Sequence, residues 1–252
     1  MKVSSLLACS MAVLALSACN KNKNEGPSAA ATNDSVTITQ AAPPAGGTWA
    51  DVVNATSAGG YMMGNPNAKV KLLEIGSLSC PHCQKFEEEG APNLIAKYVK
   101  AGTVSWEFRP YVIHGVIDMA ANLVATCNGA KTFFPLSMAL YKDQASWLGK
   151  VETTPQDKLA QIQNLPTNQV FVQIANVLGL QDWAAARGVP QAKSNQCLSN
   201  QKMIDQQVQI TSSVNSQFPD FAGTPSFVIN GKLLSNTASW DKLEPQLQDA
   251  LK

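Results

Sequence analysis

Cys80-Pro81-His82-Cys83 places two thiols two residues apart, directly after the apolar run Val70-Lys71-Leu72-Leu73-Glu74-Ile75-Gly76. A thiolate on the first cysteine can attack a sulfur of a partner, and the second can resolve the mixed disulfide. Cys80 stands where a helix would begin, so free backbone N–H groups and the helix dipole favour a negative sulfur there. Pro81 suits the first helical position, since its missing N–H would have had no partner. His82 falls in the first turn and can bring a positive charge or a hydrogen bond to the Cys80 sulfur. A half zinc site or a static disulfide is the plainer alternative. Zinc needs two more ligands at suitable spacing, and Cys127, Cys197 and His114 offer no second close pair, so no metal is expected. Glu74 is unusual within an apolar strand, because a lone buried carboxylate is costly. It is read as a proton-transfer acid with a raised pKa that serves Cys83, or else as a residue on an exposed strand face. His114 is read as a loop or packing residue, and Trp106, Phe108, Phe133 and Phe134 as core.

The elements that must hold these groups follow from periodicity. Residues 70–76 read as a buried strand after the turn Gly64-Asn65-Pro66-Asn67. Phe86, Leu94, Ile95 and Tyr98 recur at helical intervals, which predicts one helix from Pro81 to about Lys100, kinked at Pro92. Residues 104–108 alternate as a second strand. From about Gly115 to Phe218 only helical patterns occur, as in 118–127, 134–141, 169–178 and 202–214. A strand at 226–229, an Asn230-Gly231 hairpin and a returning strand follow. Trp240, Leu243, Leu247 and Leu251 space a final amphipathic helix capped by Ser239 or Asn236. The order is βαβ, then a helical block, then ββα.

The N-terminus reads as an export signal. Lys2 precedes an apolar run, Val3 to Ala15, that is too short to span a bilayer. The segment ends Leu16-Ser17-Ala18-Cys19, which resembles the lipobox of bacterial lipoproteins and makes Cys19 a lipidation site; a plain secretory signal is the alternative. Residues 1–18 are then the signal peptide, and 19–48 a lipid-anchored flexible linker too poor in large apolar residues to fold. Of the six cysteines, Cys9 lies in the signal, while Cys127 and Cys197 remain as an even pair in an exported chain. They read as a structural disulfide or as two separate buried thiols. The formal net charge of +1 gives no strong attraction to nucleic acid.

Taken in order, these features resemble the DsbA-like branch of the thioredoxin superfamily. The resemblance rests on Cys80-Pro81-His82-Cys83, on Glu74 six residues before the first cysteine, and on Gly223-Thr224-Pro225-Ser226-Phe227-Val228-Ile229-Asn230-Gly231. It implies an α/β thioredoxin fold with an inserted all-helical domain: residues 61–114 and 219–252 as the two thioredoxin halves, 115–218 as the insertion. It implies a cis Pro225 opposite the cysteines, with the Thr224 backbone binding an extended substrate segment. It implies a periplasmic thiol–disulfide oxidoreductase without a bound cofactor. The preferred role is an oxidase that donates disulfides to exported proteins and is reoxidised by a quinone-linked, DsbB-like membrane protein. An isomerase or reductase kept reduced by a DsbD-like membrane donor stands beside it, because Thr224 takes the place of the Val found in enteric DsbA. A redox-inert chaperone or binding module on the same fold is the reading from another class. Asn20 after the lipidated cysteine leans toward the outer rather than the inner membrane.

Overall fold

The computed structural model describes residues 42–252. The signal, Cys9, Cys19 and the linker up to residue 41 lie outside them. Residues 42–48 are exposed and lead into a short 3-10 turn at Trp49–Asp51.

A six-stranded mixed sheet forms the centre: β1 (Val53–Ala55), β2 (Tyr61–Met63), β3 (Val70–Gly76), β4 (Val104–Pro110), β5 (Ser226–Ile229) and β6 (Lys232–Leu233), in spatial order β1-β2-β4-β3-β5-β6. The central pair β3 and β4 is parallel, with Val70 opposite Val104 and Gly76 opposite Pro110. All other pairings are antiparallel. β3 is buried along its length except at Lys71, as expected for a strand covered on both faces. Gly76 is required at its end, since a Cβ there would lie 2.5 Å from the Phe108 ring. The β5–β6 turn takes positive φ at both Asn230 (49°) and Gly231 (86°), the geometry that Asn-Gly supplies with least strain.

Two features depart from expectation. The predicted single helix is broken: α1 (Pro81–Glu89) stops at Gly90, α2 (Ala91–Leu94) restarts, and a π turn runs from Ile95 to Val99. Pro92 lies in the first turn of α2, where its missing N–H costs nothing, so the break comes at Gly90 instead. The sheet also continues beyond β4 into β2 and β1, strands of three residues each. Such short edges carry too little alternation to register in a sequence.

The chain between β4 and β5 is helical: α3 (Val116–Thr126), α4 (Ala130–Lys142), α5 (Gln144–Glu152), α6 (Gln156–Gln163), α7 (Thr167–Leu178), α8 (Leu180–Ala185), α9 (Gln191–Leu198) and α10 (Gln201–Gln217). The last helix, α11 (Trp240–Leu251), begins at the N-cap Ser239. One sheet face meets α1 and α4 through Phe86, Trp106, Phe108, Phe133, Phe134 and Tyr141; Phe86–Phe227 and Trp106–Phe134 ring centroids lie 4.7 and 4.9 Å apart. Each such fully buried aromatic contributes about 1.5–3 kcal/mol. The other face packs Leu73, Ile75 and Val228 against Val214 and Phe218 of α10 and the residue after it. Cys127 and Cys197 are joined by a disulfide, Cα–Cα 5.6 Å, that ties the end of α3 to α9. No helix among the described residues is long and apolar enough to cross a membrane.

Candidate active site

The strand β3 delivers the chain into the segment Ser77-Leu78-Ser79, and α1 opens immediately after Cys80. Cys80 is the N-cap, with extended backbone (φ −83°, ψ 122°), and Pro81 takes the first helical position. Both motif cysteines are free thiols. Cys80 is 4 % exposed and Cys83 fully buried. Both are buried, and Cys80 is the one that keeps any contact with solvent.

Electrostatics separate the two further. A hydrogen bond from the Cys83 thiol does most to pull Cys80 down to about 5; burial opposes it, and the Thr224 hydroxyl and the N–H groups of Cys83 and His82 assist. Burial, reinforced by the neighbouring Cys80 and Glu74, holds Cys83 well above the ordinary thiol value. His82 thus acts on Cys80 through its backbone N–H, while its side chain is exposed.

The loop opposite comes from the second half of the chain. The Thr224–Pro225 peptide bond is cis, and the Cys80 thiol donates to the Thr224 carbonyl at 3.2 Å. Thr224 Oγ1 is buried without a conventional hydrogen-bond partner, so the Cys80 sulfur is the neighbour it can serve. A cleft of about 600 Å³ runs from this loop along Ser226, Leu233 and Leu234 toward Lys242 of α11.

Glu74 is fully buried beneath the motif. Its Oε2 accepts from Trp106 Nε1 at 3.1 Å and its Oε1 has no partner. Burial, and then the charge of Glu87, push its carboxyl well above the usual range against the Trp106 bond. Glu87 was not foreseen. It is half-buried on α1, and burial raises it to about 8. Its signal was available, because residues 80, 83 and 87 share one helical face.

Three more positions were not foreseen and had no local signal. Tyr141 of α4 donates to the Ser77 carbonyl at 3.0 Å. Gln144 of α5 donates to the carbonyls of Leu78 (2.8 Å) and Cys80 (3.1 Å). Gln84 of α1 donates to the Tyr141 carbonyl at 3.0 Å. The helical segment therefore grips the backbone of the motif. Cys127 and Cys197 lie in that segment and do not join the site. Among the described residues no group of three or more His, Cys, Asp and Glu is arranged to hold a metal ion.

The arrangement can run dithiol–disulfide exchange: a thiol at a helix start whose anion is favoured, a buried second thiol, a buried acid, and a cleft alongside. Comparison with known proteins agrees with it. The sequence profile of the thioredoxin family matches residues 56–249. A protein-disulfide isomerase from Novosphingobium aromaticivorans superposes with a TM-score of 0.72 at 32% identity, covering 80% of this chain and 100% of that one. Wolbachia pipientis alpha-DsbA1 shares the fold, with a TM-score of 0.60 at 20% identity over 75% of this chain and 89% of that one. A provisionally named protein-disulfide oxidoreductase of Rickettsia bellii is 25% identical over 176 residues, 69% of this chain and 58% of its own length. The chain thus spans less than two thirds of the length of the curated relatives it matches.

Proposed function

We propose that this chain, which belongs to the thioredoxin family, is a protein thiol–disulfide oxidoreductase that works through Cys80 and Cys83 in an extracytoplasmic compartment. The single observation that carries the reading is the opposed tuning of the two thiols: Cys80 lowered to about 5, Cys83 raised. In the oxidase direction a substrate thiolate attacks Cys80 of the Cys80–Cys83 disulfide and forms a mixed disulfide, with Cys83 leaving as thiolate. A second substrate thiolate then attacks the substrate sulfur and releases Cys80. Two electrons pass from the substrate dithiol to the protein, and a membrane partner removes them. A stabilised Cys80 thiolate favours the reduced protein and so makes its disulfide a better oxidant. Glu74, beside Cys83, exchanges a proton as that thiol ionises. The cis Pro225 loop holds the substrate as an added strand along Thr224.

An isomerase is the second reading, supported by the named activity of the Novosphingobium protein. The equilibrium potential against glutathione separates them from a thioredoxin-like reductase. The oxidase expectation is a value well above that of thioredoxin; a value near or below about −270 mV sinks it. Return of scrambled disulfides to native pairing, run with the active site kept reduced, scores the isomerase.

Export and a lipid anchor at Cys19 rest on residues 1–19 of the sequence. Palmitate labelling that disappears in Cys19→Ala is the expected result; absence of label in the unsubstituted protein leaves a soluble periplasmic form.

A further inference from the structure

Asp118 is a completely buried acid that the exchange chemistry above does not use. It lies in the first turn of α3. Its Oδ2 accepts from the backbone N–H groups of Ile113 and His114, both at 2.8 Å. That half of the contact is what any acid at a helix start could do for its own loop. The other half points elsewhere. Oδ1 accepts from Ser77 Oγ at 2.8 Å and from Ser79 N at 3.2 Å. Ser77 Oγ and Ser79 Oγ lie 3.2 Å apart, and Ser79 Oγ is bonded to His114 Nδ1 at 2.6 Å. An exposed imidazole and a buried carboxyl thus clasp the same segment from two sides, and this is the segment between β3 and Cys80.

One group in that segment touches a reacting atom. The Ser77 N–H donates to Cys83 Sγ at 3.5 Å. Burial, the Cys80 thiol and the negative charges of Glu74 and Cys80 all disfavour the Cys83 anion; the Ser77 N–H works the other way. Both directions of exchange pass through that anion, as attacking group in one and leaving group in the other.

We propose that Asp118 and His114 are positioning residues for the resolving cysteine: they fix Ser77-Leu78-Ser79 so that the Ser77 N–H stays directed at Cys83 Sγ. The proposal rests on the dithiol reading of Cys80 and Cys83. Its signature is differential, because the clasp bears on Cys83 directly through the Ser77 N–H and on Cys80 only at second hand, through the Cys83 thiol and the Ser77 carbonyl.

Oxidised glutathione is the probe. The Cys80 thiolate attacks it, a Cys80–glutathione disulfide forms, and one glutathione thiolate leaves. Cys83 gives its proton to Glu74, as in the exchange above, and attacks the Cys80 sulfur. The Cys80–Cys83 bond forms, the Cys80–glutathione bond breaks, and the second glutathione leaves with the electron pair. Overall the dithiol is oxidised and the glutathione disulfide reduced. Formation and decay of the adduct are followed by acid quench and mass analysis in reduced protein. In Asp118→Asn, whose amide would face the Ile113 and His114 N–H groups, decay is expected to slow about tenfold, the size of weakening one hydrogen bond to a charged group. In His114→Ala, an exposed position that costs no core packing, decay slows several-fold. In both, adduct formation stays within about twofold. His114→Asn, which keeps a polar atom near the place of Nδ1, restores decay. Equal slowing of both steps, or unchanged decay in His114→Ala, overturns the positioning role while leaving the exchange reaction standing. Failure of oxidised glutathione to convert the reduced, unsubstituted protein into either the adduct or the Cys80–Cys83 disulfide sinks the dithiol reading and the positioning role together.

Discussion

Replacing Cys80 by Ser removes the group whose ionisation the fold has been arranged to favour, and the cost should depend on pH in a calculable way. An ordinary cysteine titrates at 9.0, and Cys80 in the folded protein at about 5. The folded pKa is depressed, so the stabilisation is complete above pH 9 and is lost as pH falls through about 5. At pH 7 two of the four units remain, about 2.7 kcal/mol at 1.36 kcal/mol per unit, and about 2 kcal/mol after allowing for water at the mouth of the site. Near pH 5 it falls to a few tenths of a kcal/mol. Denaturant unfolding of reduced protein and of reduced Cys80→Ser, at pH 5 and pH 7, gives four stabilities. The difference between the two proteins should grow by about 2 kcal/mol from pH 5 to pH 7. Other groups titrate in that window, Glu87 among them, but they are common to both proteins and cancel in the comparison. A difference that is the same at both pH values, within about 0.5 kcal/mol, refutes the argument that the Cys83 thiol, with the Thr224 hydroxyl and the N–H groups at the helix start, stabilises a thiolate.

Glu87→Gln tests the opposite sign: a carboxyl raised to about 8 stabilises the fold only at low pH, so the unsubstituted protein should lose melting temperature from pH 5 to pH 8 more steeply than the variant. Gly76→Ala puts a Cβ against the Phe108 ring and toward Glu74 Oε1, and should cost about 1–3 kcal/mol in chemical denaturation; a neutral result would mean that β3 and β4 shift apart freely there. The Cys127–Cys197 disulfide, with a sequence separation of 70, should contribute up to about 4 kcal/mol through the unfolded chain, read as the stability lost in the double Ala variant relative to the oxidised protein.

The parts of the fold that were legible in the sequence are those with local periodicity or compulsory residue chemistry. The strand at 70–76 announced itself by a continuous apolar run, and the β5–β6 turn by an Asn-Gly pair whose φ values few other residues accept. The break at Gly90 was hidden because Pro92 offered a more obvious cause, and the deciding factor was that proline is harmless at a helix start. β1 and β2 exist because β4 offers them an unpaired edge, which is a tertiary fact. At the site, the Cys80 and Cys83 pair could be read from its spacing, and Glu74 stood out as a carboxylate within an apolar strand. Tyr141, Gln144 and Asp118 could not, since each acts across more than 35 residues of chain and none belongs to a pattern. Glu87 lies between these cases: the helical face was readable, but its burial was not.

The grip of Tyr141 and Gln144 on the carbonyls of Ser77, Leu78 and Cys80 bears on how the two parts of the molecule can be exchanged. A minimal protein made by splicing β4 directly to β5 would keep every strand and the whole tetrapeptide. It would also strip the Ser77 and Cys80 carbonyls of their side-chain donors, leaving them only the N–H groups of Cys80 and Gln84, and would take from the Leu78 carbonyl the Gln144 amide that serves it, at a cost of about 1–3 kcal/mol. A foreign helical segment could be grafted in its place only if it brought a hydroxyl and a carboxamide to the same two points. The helices between β4 and β5 are in that sense a wall of the reaction chamber rather than an ornament on it, and transplanting the tetrapeptide alone into another scaffold would not carry its chemistry along.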